Sequence, residues 1–164
     1  MITKEQIAAS MLFECDVAKH LHTKMTPAAY DYKPAGNQRS ALEVLRYLSI
    51  CGIAGIQSLY QSDWKAFGKY VERSSGMKGE DFFAAMDLQK REITEFFESV
   101  TERDLETRDA KLPVGGTELL GKAILDLPFK WLPAYKLMLF HYLKTTGSEE
   151  LNTANAWMGM DWTR

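Results

Sequence analysis

Residues 40–60 read Ser-Ala-Leu-Glu-Val-Leu-Arg-Tyr-Leu-Ser-Ile-Cys-Gly-Ile-Ala-Gly-Ile-Gln-Ser-Leu-Tyr, and the fold turns on them. Ser40 and Glu43 have capping-box spacing, in which each side chain takes a backbone N–H that a helix start leaves unpaired. Leu42, Leu45, Leu48, Ile53 and Ile56 then recur at helical spacing to about Tyr60. Gly52 and Gly55 each cost such a helix about 0.5–1 kcal/mol relative to alanine. Their place on it points to a closely packed neighbour.

Toward the N-terminus, Thr3-Lys4-Glu5-Gln6 is another capping box, and Ile7, Met11, Val17, Ala18 and Leu21 form a stripe ending near His22. Thr26-Pro27 suits a helix start, but the stretch from Asp31 to Gly36, with Pro34, limits it to a turn in a connecting loop. Toward the C-terminus, Ser62-Asp63 caps a short segment from Trp64 to Arg73 that Ser74-Ser75-Gly76 ends. A third long helix begins near Glu80 and carries Phe82, Phe83, Met86, Ile93, Phe96, Phe97 and Val100. Thr107 to Gly116 is the longest polar loop, and Gly115-Gly116 ahead of Thr117 offers N–H groups at a helix start, an anion site in principle. The fourth helix is expected from Thr117 to Lys144, kinked or broken at Pro128 or Pro133, with Gly147 as its left-handed cap. No alternation persists long enough to propose a sheet. The tail, 148–164, carries Leu151, Trp157, Met158, Met160 and Trp162, so it is expected to pack on the bundle or on a partner.

A chain of 164 residues suits a single domain, 1–164, with a core of its own. Twenty Lys and Arg against 22 Asp and Glu give no electrostatic reason to expect nucleic acid. No apolar run approaches the roughly 20 residues of a membrane span, and Glu5 sits where the apolar core of a signal peptide would begin. A cytoplasmic protein with no membrane partner is expected. Cys15 and Cys51 lack metal or redox spacing and read as buried free thiols. A disulfide would need them to face each other in an oxidising compartment.

Two segments carry a family likeness. Pro34, Arg39-Ser40 and Leu42-Glu43-Val44-Leu45-Arg46-Tyr47 form one. The other runs from Lys130 through Trp131, Pro133, Tyr135 and His141 to Lys144, with Gly147 and Glu150 to Trp157 after it. Together they resemble the second helix, last helix and tail of the DinB-like superfamily. The resemblance implies an all-α four-helix bundle of up-down-down-up topology, often a homodimer. Members with known activity are metal-dependent thiol transferases or isomerases, whose divalent metal is held by one histidine on the second helix and two, four residues apart, on the last. Residues four apart share a helix face and can reach one ion.

At those positions this chain has Tyr47, Trp131 and Tyr135. Tryptophan offers only an N–H donor, and a phenol with pKa near 10 is a poor ligand while protonated. The expectation is therefore a degenerate metal site with no metal and no cofactor, in a protein that binds a small molecule or a partner. The alternative is a metal-dependent thiol transferase or hydrolase using a displaced divalent ion such as zinc or nickel.

Ile124, Pro128, Trp131, Tyr135, Met138 and Tyr142 fall on one stripe of the last helix, which reads either as the core seam or as the wall of a ligand pocket. Tyr47, Trp131, Tyr135 and Met138 are the pocket candidates. His20 and His22 diverge by roughly 200° on a helix and read as solvent-facing residues near its C-terminus. His141 does not share the face of Tyr135. Glu43 and Asp126 are the nearest acids, and no catalytic residue is identified.

Overall fold

The computed structural model describes residues 3–162, so the first two and last two residues of the expected 1–164 domain lie outside the described residues. Both capping boxes form: Thr3 with Gln6 opens α1 (Lys4–His22), and Ser40 with Glu43 opens α2 (Ala41–Leu48). The loop between them holds only a turn of 3-10 helix at Pro27–Ala29. After α2 come α3 (Cys51–Gln61) and α4 (Lys65–Ser75). A 3-10 turn at Gly79–Asp81 leads into α5 (Phe82–Ser99), and α6 (Glu102–Thr107) follows under a Thr101–Asp104 box.

The second long helix is not continuous, which corrects the uninterrupted helix read from 40–60. It breaks at Ser49–Ile50, and its halves bend by 45°. Ser49 turns its hydroxyl back onto the Arg46 carbonyl at 2.8 Å, the local competition by which serine weakens a helix. The break strands backbone groups in the core, and Gln89 of α5 serves them. Its Nε2 donates to the Leu48 carbonyl at 2.8 Å, while its Oε1 accepts from Gly52 N–H at 2.9 Å and Ile53 N–H at 3.4 Å. Gln89 is fully buried, so each of its polar atoms needs these partners.

A second correction concerns 107–119. Asp109–Lys111 (β1) and Thr117–Leu119 (β2) pair antiparallel as a small hairpin. Gly115 and Gly116 turn it at φ 94° and 84°, so they lie in a hairpin turn and not at a helix N-terminus, which removes the anion-site expectation. Strands of three residues are too short to show an alternation. The last long helix therefore starts later than expected, as α7 (Leu120–Ile124). A π-helical turn at Leu125–Phe129 holds Pro128 and leads into α8 (Lys130–Thr145), where Pro133 causes no break. The disturbance expected at the prolines is thus taken up by one wide turn. Gly147, at φ 115°, ends the helix, with Ser148 N–H bonded to the Leu143 carbonyl.

Side-chain pairs set the helix directions. Lys4 at the start of α1 reaches the carbonyls of Phe97 and Val100 at the end of α5, and Lys19 near its end meets Asp87, so α1 and α5 are antiparallel. Gln6 and Ile7 lie beside Leu125 and Phe129, while Ser148 bonds the Lys24 carbonyl, so α1 and α8 are parallel. Arg39 meets Tyr135 and Tyr142, whereas Gly55 meets Pro128 and Trp131, so α2 and α3 run against α8. The order is up, down, down, up. Most of the buried apolar side chains of these helices form one cluster.

The buried face of α8 carries Leu132, Lys136, Leu139 and Leu143, one position round from the stripe read in the sequence, with Tyr142 of that stripe also buried. Lys136 is only 1% exposed and pairs with Glu14 of α1 at 2.6 Å, with its ammonium 4.9 Å from the ring of Trp157. That indole belongs to α9 (Thr153–Met158), the tail helix, which packs on α1 and α8 through Leu151, Asn155 and Ala156. Trp157, Met158, Met160 and Trp162 remain 50–59% exposed and line an apolar cleft of about 440 Å³. No single helix is long and apolar enough to cross a membrane. Together α2 and α3 reach that length, but they are bent and contribute many of the most buried residues of the core.

Candidate functional site

Three elements bring an aromatic cluster together on the side of the bundle formed by α2, α4 and α8. Tyr47 comes from the last turn of α2, Phe67 from α4, and Trp131 and Tyr135 from successive turns of α8. The rings of Tyr47 and Tyr135 are in contact, with centroids 4.4 Å apart. Trp131 does not join them directly. Phe67 bridges, at 6.1 Å from Tyr47 and 6.0 Å from Trp131, and Trp64 adds an edge contact to Trp131 at 6.3 Å. Two of the three expected positions thus meet and the third is reached through a residue that helical periodicity did not single out.

The charge at this cluster comes from the loop before α2. Arg39 places its guanidinium 4.7 Å over the Tyr47 ring and 5.3 Å over the Tyr135 ring, and donates to the Tyr135 hydroxyl at 2.8 Å. The Tyr142 hydroxyl donates to the Arg39 carbonyl at 3.1 Å, and the Tyr142 ring packs edge-on against Tyr32, so the last helix holds the loop in place. Burial pushes the Tyr47 phenol well above its ordinary pKa, with Cys51 and Tyr135 adding to the effect and Arg39 opposing it. Among the described residues neither the Tyr47 hydroxyl nor the Trp131 indole N–H has a hydrogen-bond partner.

Two depressions flank the Arg39–Glu43 ridge. One, of about 320 Å³, is walled by Tyr47, Ile50, Phe67 and Val71, with Arg39, Glu43 and Arg46 among its polar residues. The other, of about 560 Å³, is formed by residues 36–39 with Glu43 and Met138. Tyr47 and Met138 therefore line separate depressions, and neither Trp131 nor Tyr135 is part of either wall. The other members of the sequence stripe, Ile124, Pro128 and Tyr142, are buried in packing.

The nearby acids are not free to act as bases. Asp126 is half-buried, and hydrogen bonds from Lys122 and Lys130 hold it to about 2. Glu43 is lowered by its bond from the Ser40 N–H in the capping box.

The histidines differ from expectation. Helix α1 runs through both His20 and His22, yet neither is solvent-facing. His20 meets Asn155 at 3.1 Å and Asp161 at 3.7 Å in the tail, and its pKa is lowered chiefly by burial. His22 is half-buried against Phe82 and Phe83 and lies 3.0 Å from the Tyr30 hydroxyl. Periodicity could not see these partners, because they come from the loop, α5 and the tail. Cys15 and Cys51 are buried free thiols, and burial pushes Cys15 up to about 12.

A three-nitrogen metal site does not fit this cluster. Its members offer a high-pKa phenol, a second phenol engaged by a cation, and an indole, with a permanent positive charge lying on two of the rings. Among the described residues no three His, Cys, Asp or Glu side chains converge elsewhere.

No model of a known protein family matches the chain, and no curated protein does. A solved structure does: a DinB-like protein, YjoA, of Bacillus subtilis, with a TM-score of 0.69 over 90% of this chain and 95% of that one, at 22% identity. Likeness at that identity concerns architecture, and it agrees with the helix order derived above: the chain has the DinB-like fold, an all-α bundle of up-down-down-up topology.

Proposed function

We propose that this is a single-domain, cytoplasmic DinB-like bundle that works without the divalent metal the sequence resemblance implies and binds a small molecule beside Tyr47. One observation carries the reading: the Arg39 guanidinium lies on the rings of Tyr47 and Tyr135, two of the three positions where the resemblance calls for metal-binding histidines. A guanidinium keeps its charge at every ordinary pH and has no vacant orbital, so it orients and neutralises a ligand but does not activate water or a thiol as a metal does. The unpartnered Tyr47 hydroxyl and the Arg39 guanidinium, on a cavity walled also by Ile50, Phe67 and Val71, supply the few polar groups that such sites use for orientation.

The test is elemental analysis of protein purified without an affinity tag, followed by calorimetric titration with zinc and nickel. We expect far less than one divalent ion per chain and no saturable binding at micromolar concentration. A tightly held, near-stoichiometric ion would overturn the reading in favour of a metal-dependent thiol transferase or hydrolase.

A further inference from the structure

The walls of the 320 Å³ cavity also speak to the charge of its occupant, on the footing of the small-molecule reading above. Three charged side chains reach it, and they do not cancel. Glu43 is spent: its Oε2 accepts the Ser40 N–H at 2.6 Å and faces Lys33 at 3.5 Å. Arg46 is half-buried and uses only its Nε, which donates to the Met77 carbonyl at 2.8 Å. That bond orients the guanidinium and leaves both terminal nitrogens without a protein partner among the described residues. Arg39 adds a second cation at the same rim. The hydroxyls of Ser74 and Ser75 donate to the carbonyls of Val71 and Glu72, so they present lone pairs and no proton. Ile50, Phe67 and Val71 make the rest of the wall apolar.

A guanidinium with open terminal N–H groups matches the two oxygens of a carboxylate. We infer that this cavity takes a small organic monoanion, its carboxylate held by Arg46 with Arg39 alongside, and its one-ring or short-chain apolar body against Ile50, Phe67 and Val71. A phosphorylated ligand is disfavoured, because two arginines beside a carboxylate leave a net charge of only about one, and no run of backbone N–H groups lines the cavity.

The experiment compares three probes of one shape, phenylbutyrate, phenylbutanol and phenylbutylamine, by isothermal titration calorimetry at low salt. The acid should bind about ten-fold or more tightly than the alcohol, and the amine should bind most weakly. Arg46→Gln should remove most of the acid's advantage over the alcohol, with Arg39 still alongside, while Arg46→Lys keeps more of the preference. Val71→Trp, at an exposed position on the wall, should weaken acid and alcohol together. If the alcohol binds the unmodified protein as well as the acid, the anionic class is overturned and the pocket stands. If none of the three binds, or binding ignores Val71→Trp, the pocket falls and the anion with it. The acid-to-alcohol ratio of the unmodified protein decides the class even if a variant fails to fold.

Discussion

Lys136 shows how one residue changes the account of a helix. Nothing in the sequence pattern singles out Lys136, yet it lies buried on α8, held by Glu14 of α1 and roofed by Trp157. Taking two charges out of water costs several kcal/mol per ion, and their attraction at 2.6 Å offsets this only while both are present. Glu14→Leu alone should therefore destabilise the domain by about 3–5 kcal/mol. Glu14→Leu combined with Lys136→Met should recover most of that loss or exceed the starting stability. Urea unfolding followed by tryptophan fluorescence measures both. A double variant no more stable than the single one would mean that the pair does not act as a unit. Arg39 teaches the complementary lesson. It was visible as part of the family-like wording before α2, but the direction of a loop side chain follows no period, and its place over Tyr47 depends on Tyr142, 103 residues away.

Among the elements, those opened by local chemistry were legible and those shaped by distant partners were not. Thr3 and Ser40 announced α1 and α2 because a capping box is complete within four residues. Thr101 and Asn152 open helices in the same way, but their boxes close with Asp104 and Asn155 and lead into six-residue helices with little apolar periodicity, so nothing in the pattern drew attention to them. The break at Ser49–Ile50 left no mark in a run of good core residues, since what stabilises it is a side chain on another helix. The glycines of α3 were read for close packing, and the structure grades them. A Cβ at Gly55 would lie 2.8 Å from both Pro128 and the Trp131 ring, two rigid groups, whereas one at Gly52 would meet the ends of Gln89, Ile93 and Leu132 at 3.1–3.3 Å. Alanine gains up to about 1 kcal/mol of helix propensity at either place, but overpacking against rigid groups costs about 1–3 kcal/mol. Gly55→Ala should thus be a net loss, and Gly52→Ala a smaller loss or none. Thermal melts of the two variants side by side check the ranking, and equal effects would contradict it.

For the whole molecule, the four long helical segments were readable because apolar periodicity survives in each, while their up-down-down-up order came from the family resemblance and the tail required the structure. Its inner face is fastened: Asp161 pairs with Lys24, Asn155 bonds His20 and Asp161, and Ser148 bonds the Lys24 carbonyl. Its outer face exposes Trp157, Met158 and Met160 to an extent that a monomer rarely leaves bare. We propose that a second copy covers it, so light scattering should give twice the chain mass at micromolar concentration, and Trp157→Asp with Met160→Asp should halve it. A clean monomer before substitution would refute the homodimer. The bent second helix has a consequence of another kind, in the order in which the chain can assemble. The donors and acceptor freed at the break lie 36–41 residues from Gln89. Until that residue has been synthesised and α5 has docked, water is their partner, and a bend facing the core gains nothing. The hydrogen bonds of the bend thus close only in a stretch that includes both Leu48 and Gln89.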